Sequence, residues 1–308
     1  MEIGLQLRQA MLLNGMLFNS EAWHSISEHE LKMLEKVDEH LLRSLVQGHA
    51  KLPIEFLYLE AGAMPMRFII ACRRILYQQT ILKRPEEELI RRVYQAQKND
   101  PLPGDFYQLV QQDYQVIGET MTEEYVQKKN RDAFKKEIKE KTKMAALKFL
   151  KDLQSKHSKI RDICYQNLET QAYMTSPIFN NEEVSLLHAL RSRYINVKAN
   201  FSSKYQRNML CPLCLTTVDD QPHILECSVL KRKFESTQTN ADRNVYNNIF
   251  AEPAKQKGIT HLFVQLLKIR NSLVDENLCM ESAPSISDEL LEDSDNLRNS
   301  IVHCLLGK

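Results

Sequence analysis

Glycine is scarce in this sequence: eight of its 308 residues are glycine, and tryptophan occurs once. So few glycines argue against an architecture rich in tight turns, because glycine supplies the positive backbone angles that such turns need. No run of about 18 apolar residues occurs, so the sequence contains no candidate membrane span. The seven cysteines form no even framework and no signal peptide precedes them. This pattern indicates a reducing compartment, the nucleus or the cytoplasm.

The loop motifs of common enzymes are missing as well. The sequence has no Gly-x-x-x-x-Gly-Lys phosphate loop, no Gly-x-Gly-x-x-Gly, no Gly-x-Ser-x-Gly nucleophile turn and no His-Glu-x-x-His zinc motif. The carboxylates are interpreted as solvent-facing groups of amphipathic helices. The sequence therefore leans toward a protein that is not an enzyme, and no residue is assigned a catalytic role.

Apolar residues recur at helical spacing along most of the chain. A helix is predicted over 27–46, with Ser27 and Glu30 as a capping box at its start. Further helices are predicted from Pro53 to Gly62, from Pro65 to residue 84, over 85–100 and over 105–117. The predicted fold class is therefore all-α.

Charge is distributed unevenly along the chain, although the net charge is only +1. Residues 128–161 hold thirteen Lys or Arg against four Asp or Glu, and residues 184–218 contain no acid. Residues 275–295 hold eight acids and no base, which predicts a poorly ordered acidic tail. The lysine-rich stretch is open to two interpretations, a solubilising surface or a nucleic-acid-binding surface.

Three cysteines and one histidine fall within residues 211–227, "CPLCLTTVDDQPHILEC". Cys211-x2-Cys214 predicts a tight turn, and His223-x3-Cys227 places two side chains on one face of a helix that Asp220 could cap. A closed set of Cys and His ligands is what structural Zn²⁺ prefers, and it leaves no open position for catalysis. We predict a structural zinc knuckle whose metal contributes to the folding free energy. The alternative is three unrelated cysteines beside a chance histidine.

The stretch "RSRYINVKANFSSKYQR", residues 191–207, interleaves cations with aromatic side chains directly before the cysteines. Cations neutralise phosphates, and aromatic rings stack on unpaired bases. The alternative is an ordinary packed linker helix. We interpret the stretch as part of a nucleic-acid-binding surface, and the predicted contacts are Arg191, Arg193, Lys198, Lys204, Tyr205 and Arg207.

Three stretches together resemble the region downstream of the polymerase core in non-LTR retrotransposon reverse transcriptases. The first two are "MLLNGMLFNSEAWHSISEHELKMLEKVDEHLLRSLV" and "LPIEFLYLEAGAMPMRFIIACRRILYQQTILKR". The third begins with "LLHALRSRYINVKANFSSKY" and continues through "CPLC" to "HILEC". The resemblance covers the chain from about residue 5 to about residue 275.

The resemblance implies a multi-helix, thumb-like bundle that grips a template–primer duplex, then a basic linker, then a Cys-Cys-His-Cys knuckle that helps to engage RNA and target DNA. By motif match, the resemblance implies that the zinc ligands are Cys211, Cys214, His223 and Cys227. The expected organisation is a thumb-like domain over 1–120, a basic helical linker region over 121–207, the knuckle over 208–232, a C-terminal helical region over 233–275 and the acidic tail over 276–308.

The sequence departs from that family where polymerisation would occur. It lacks the Tyr/Phe-x-Asp-Asp turn, and with it the palm carboxylates that hold two magnesium ions. We therefore expect a fragment of such an element, or a gene derived from one, that binds RNA or DNA through phosphate contacts without copying it. A separate palm subunit is a further expected partner. The alternatives are a zinc-stapled protein–protein interaction module, a residual enzyme and a non-functional remnant.

Overall fold

The computed structural model of the chain describes residues 2–46, 52–201, 209–235 and 249–280. The structure is 69% helical and contains no β-strand in those ranges, which confirms the prediction of an all-α fold. Two isolated backbone bridges occur there, between Ala61 and Thr170 and between Leu210 and Val218. None of the helices in these ranges is both long and apolar enough to cross a membrane.

The helices follow one another along the chain. A π-helical stretch, Arg8–Leu13, interrupts the first of them, and 3-10 turns cover Ser20–Ala22 and Lys198–Phe201. The α-helices are α1 Glu2–Leu7, α2 Asn14–Met16, α3 Glu28–Val46, α4 Ile54–Ala61, α5 Met66–Leu82, α6 Leu89–Asn99, α7 Phe106–Val116, α8 Glu123–Lys128, α9 Arg131–Gln154, α10 Ala172–Thr175, α11 Asn181–Ser192, α12 Gln221–Glu226, α13 Ser228–Glu235 and α14 Pro253–Met280.

Most helix ends lie where the sequence signals predict them. At the start of α3, Glu30 N donates to Ser27 Oγ at 3.2 Å and Ser27 N donates to Glu30 Oε2 at 2.8 Å, so the capping box is confirmed. α6 is the exception. It begins only at Leu89, because Glu88 N donates to Pro85 O at 3.2 Å and closes a turn first. The acids at 86–88 therefore precede the helix instead of occupying its first turn.

In the described part of the chain, three clusters of buried apolar side chains form the core. The largest joins α3 and α4 to the second half of α9, to α11, to the cysteine-bearing turn and to α14. A second cluster lies among α5, α6, α7, α8 and α9, and a third packs the N-terminal helices against α3 and α5. Side chains from both sides of the boundaries predicted at 120, 207 and 232 belong to the largest cluster. The division into domains itself stays a prediction.

Among the described residues, four carboxylates lie inside the protein, which corrects the expectation that the acids face solvent. An isolated buried charge is costly, but each of these acids meets an arginine from a distant part of the chain. The sequence pattern does not indicate such pairs, because each one joins elements that only the tertiary fold brings together. The pairs are Arg8–Asp38 at 2.5 Å, Arg191–Glu60 at 2.9 Å, Arg74–Asp113 at 3.0 Å and Arg270–Asp219 at 2.7 Å.

Gly62 brings the end of α4 directly against the chain at residues 169–170. Its φ is +62°, and a Cβ at this position would lie 2.2 Å from Thr170 N and 2.3 Å from the carbonyl carbon of Glu169. Both observations require glycine. Beside this contact, Gln171 N donates to Glu60 O at 2.9 Å, so the segment that leads into α10 is fixed to α4.

Candidate metal centre

Cys211 and Cys214 lie on a tight turn in which the backbone reverses direction. Leu215 N donates to Cys211 O at 3.0 Å, and Leu215 has a left-handed φ of +55°. Cys211 N donates in turn to Thr217 O at 2.8 Å, across the mouth of the loop. The turn that the Cys-x-x-Cys spacing predicts is therefore present.

His223 and Cys227 are positioned by α12 and its cap. Asp220 Oδ1 accepts a hydrogen bond from His223 N at 2.9 Å, and Pro222 occupies the first turn of the helix. This confirms the predicted cap. Cys227 follows the last helical residue, and its amide donates to His223 O at 2.7 Å. One helical turn thus separates the two side chains, as the spacing predicts.

The four candidate ligand atoms converge on one point. Each side chain offers an atom within 4.8 Å of the other three. Cys214 Sγ lies 3.3 Å from His223 Nε2, and Cys211 Sγ lies 4.0 Å from Cys227 Sγ. A tetrahedron with Zn–S bonds of about 2.3 Å and a Zn–N bond of about 2.0 Å has edges of roughly 3.5 to 3.8 Å. The group is therefore close enough to bind one metal ion and is compatible with Zn²⁺.

The electrostatic surroundings of the thiols differ. Burial raises the pKa of Cys211 to about 11. Burial acts in the same direction on Cys214, but hydrogen bonds from the Thr216 hydroxyl, from the amides of Thr216 and Thr217 and from His223 outweigh it, so the pKa of Cys214 falls to about 6. A lowered thiol pKa favours the thiolate, which is the form that binds a metal cation. A bound metal would displace the protons of the other thiols.

Asp219 and Gln221 attach the cysteine-bearing turn to the rest of the fold. Asp219 is fully buried, and its Oδ2 accepts hydrogen bonds from Lys198 N at 2.8 Å and from the Arg270 guanidinium at 2.7 Å. Gln221 Nε2 donates to Leu190 O at 2.8 Å. Sequence reasoning treats Asp219 as a loop residue and misses Arg270. The one available signal is a second aspartate beside Asp220, where the helix cap needs only one.

The predicted nucleic-acid contacts lie in different surroundings. Arg191 is 4% exposed and forms an ion pair with Glu60, so it is not the surface cation that the sequence suggests. Arg193 is exposed directly after α11, and Lys198 is half-buried beside the knuckle. The remaining three, Lys204, Tyr205 and Arg207, lie outside the described residues.

Lys159 links the lysine-rich stretch to the segment that leads into the knuckle. Its ammonium lies 4.1 Å from the centroid of the Tyr194 ring and donates to Asn200 Oδ1 at 2.6 Å. Tyr194 and Asn200 belong to residues 191–207, and Lys159 belongs to the lysine-rich stretch 128–161. Sequence reasoning misses their contact because the two stretches lie far apart along the chain. The two basic stretches are therefore in contact.

The fold and the ligand group together define an all-α protein with a Cys3His candidate metal centre. Comparison of the chain with protein-family profiles, with curated proteins and with solved structures finds no match. What the chain does has to be argued from its own site and surfaces.

Proposed function

We propose that the chain is a non-catalytic nucleic-acid-binding protein, stapled by a structural Zn²⁺, that derives from the thumb, linker and knuckle region of a non-LTR retrotransposon reverse transcriptase. The observation that carries the proposal is a row of lysines on α9 that form no ion pair with a carboxylate among the described residues. Lys159, which follows α9 along the chain, contacts Tyr194 and Asn200 in the basic stretch that precedes the knuckle.

The row consists of Lys136, Lys139 and Lys143, which the helical period places on one face of α9. The first two are exposed and the third is half-exposed. In the part of the chain that the structure describes, no carboxylate forms an ion pair with these three. By contrast, Lys129 and Lys141 each bind a glutamate. Cations that are not neutralised within the protein are available to neutralise phosphates.

The size and charge of α9 suit a nucleic-acid duplex. Its 24 residues correspond to a length of about 36 Å, which is about one turn of B-form DNA. Within Arg131–Gln154 there are eight Lys or Arg and four Asp or Glu, so the helix has a net positive charge. These features support binding that depends on phosphates more than on base sequence.

Zinc has a structural role in this proposal. Cys211, Cys214, His223 and Cys227 would hold the ion, and the closed ligand set leaves no position for a reacting water. By fixing the turn, the metal would also fix Asp219, whose carboxylate positions the backbone of the basic linker at residue 198.

Fluorescence anisotropy of the zinc-loaded chain with a duplex DNA, an RNA–DNA hybrid and a structured RNA tests the proposal at several salt concentrations. We expect the logarithm of the affinity to fall linearly with the logarithm of salt, with a slope of about −0.9 for each neutralised phosphate of a DNA duplex. The triple variant Lys136→Gln, Lys139→Gln, Lys143→Gln should reduce the size of that slope by about 2 to 3.

A matched control removes the same charge elsewhere. Lys98, Lys128 and Lys255 already form ion pairs with neighbouring glutamates, so Gln at these three positions should leave the slope unchanged. If the control weakened binding as much as the α9 variant, the α9 face would not be the binding surface. If the zinc-loaded chain bound none of the nucleic acids at low salt, the rival protein–protein module would replace the proposal.

A further inference from the structure

A pocket of about 380 Å³ lies among the segment 162–173, the end of α11 and the start of α14. Pockets for small organic ligands typically measure about 300 to 1,000 Å³, so this one is large enough for a single ligand. None of the four candidate metal ligands lines it. The pocket is therefore a second site, separate from the candidate metal centre.

One wall of the pocket is aromatic and held in place. The Arg191 guanidinium lies 4.8 Å from the centroid of the Phe250 ring and 5.3 Å from that of Tyr173. Two hydrogen bonds of 2.9 Å to the Glu60 carboxylate fix the guanidinium. Phe250 is 46% exposed, so part of its ring remains available for stacking. Aromatic rings and guanidinium planes are the surfaces on which proteins stack unpaired bases.

Gln256 lines the same pocket from the start of α14. It is 4% exposed, and its Nε2 donates to Ile249 O at 3.1 Å. That bond fixes the amide beside Phe250, the residue that follows Ile249. Gln256 therefore forms a fixed part of the pocket wall.

Charged groups of both signs lie at the rim. Arg193 is exposed, and no carboxylate in the described ranges forms an ion pair with it. Its φ of +59° is a left-handed conformation that favours glycine. An arginine at such a position places a guanidinium at the pocket at a cost in backbone energy. Asp162 also lines the pocket and lies 3.7 Å from Arg161; carboxylates of this kind accept hydrogen bonds from ribose hydroxyls.

We infer that this pocket binds one nucleotide unit. Its phosphate pairs with Arg193, its base lies against Phe250, and its ribose hydroxyls face Asp162. The ligand class rests on the nucleic-acid-binding function proposed above. On this basis α9 contacts duplex phosphates while the pocket takes a single nucleotide, from an unpaired stretch of a bound strand or from free nucleotide.

Cys164 provides a local probe of occupancy, since it lines the pocket and is exposed. Its alkylation by iodoacetamide can be followed by mass spectrometry of the peptide that contains it, in the zinc-loaded full chain. The probes are adenosine monophosphate, adenosine, inorganic phosphate and a short single-stranded RNA. We expect the RNA or the monophosphate to slow the alkylation several-fold, and inorganic phosphate to leave it unchanged.

Variants assign the contacts. Phe250→Ala should weaken the protection about tenfold because it removes the stacking surface, and Arg193→Gln should weaken it about tenfold or more because it removes a charge-assisted bond. Lys268→Gln, an exposed change on the same helix as Gln256, should have no effect. Arg193 lies at the surface, so its variant keeps the test decisive even where Phe250→Ala fails to fold.

The outcomes separate the possible sources and the two proposals. Protection by RNA alone assigns the pocket to a bound strand, and protection by the monophosphate alone assigns it to free nucleotide. Equal protection by inorganic phosphate, or no protection by any probe, would overturn the inference. If the wild-type chain bound no duplex in the anisotropy assay, the proposed function would be removed, while a protected Cys164 would still support the pocket.

Discussion

At the scale of single residues, the buried acids determine how the candidate metal centre is held. Asp219 is fully buried and pairs with Arg270, which is 8% exposed. Removal of one partner leaves the other charge buried without compensation. We therefore expect Asp219→Asn to lower the free energy of unfolding by about 3 kcal/mol, measured by urea denaturation of the zinc-loaded chain.

Asp220→Asn is the matched control, since it makes the same chemical change one residue away. Asp220 caps α12, and asparagine caps a helix as well as aspartate does. Its free energy of unfolding should change by less than about 0.5 kcal/mol. Equal losses in the two variants would mean that the pair with Arg270 adds nothing to stability.

The free energy of unfolding depends on pH through His188. Burial is the main cause that lowers its pKa to about 4, from an ordinary value of about 6.5. Between these values the unfolded chain binds a proton that the folded protein excludes. The associated stability is complete above pH 6.5 and is lost as the pH falls toward 4. It amounts to about 3 kcal/mol.

In His188→Gln, the free energy of unfolding should therefore fall less steeply as the pH drops below 6.5. Between pH 7 and pH 4.5 we expect the wild type to lose about 2 kcal/mol more than the variant, as measured from urea midpoints at both values. Loss of metal in acid affects both proteins, so the difference between them isolates His188. Parallel curves would show that His188 is protonated inside the folded protein.

At the scale of the secondary-structure elements, Arg193 at the end of α11 has a strained backbone conformation and also lines the candidate nucleotide pocket. Arg193 occupies the position after the helix where glycine is favoured. Arg193→Gly should raise the free energy of unfolding by about 1 kcal/mol relative to Arg193→Ala, because alanine keeps the Cβ that the left-handed conformation disfavours. Thermal melts of the two variants test this directly. Identical melting temperatures would show that the backbone bears no strain at 193.

The sequence predicts those features of the elements that depend on residues close together along the chain. These features are the cap of α3, the Cys-x-x-Cys turn and the Asp220 cap, each of which depends on residues only a few positions apart. The Arg191–Glu60 pair joins residues 131 positions apart, and Lys159 meets Asn200 across 41 positions. Contacts between residues so far apart leave no periodic pattern in the sequence. The same limit applies to the pocket, whose walls come from three separate stretches of chain.

At the scale of the whole molecule, two of the candidate metal ligands are part of the main core. Cys211 and Cys227 belong to the largest apolar cluster, together with side chains of α4, α11 and α14. Removal of zinc with a chelator should therefore raise hydrogen exchange in α11 and in the first half of α14 as well as in the knuckle. The second cluster, around α5 and α7, has no metal ligand and should keep its protection.

Hydrogen–deuterium exchange read by mass spectrometry distinguishes the possible responses. Cys214→Ser should reproduce the pattern of the chelator, because it removes one ligand from the closed set. A change confined to residues 209–227 would mean that the knuckle is only appended to the core. A uniform loss of protection would mean that the three clusters unfold together.

The close contact at Gly62 has a consequence for genetics. No side chain fits between α4 and residues 169–170, and the segment held there runs on into the wall of the pocket. In a saturation library every codon change to another amino acid at this position should be selected against, although Gly62 contacts neither the candidate ligands nor the pocket. An allele with such a change would be scored as a loss of function, and its cause would be a displaced backbone.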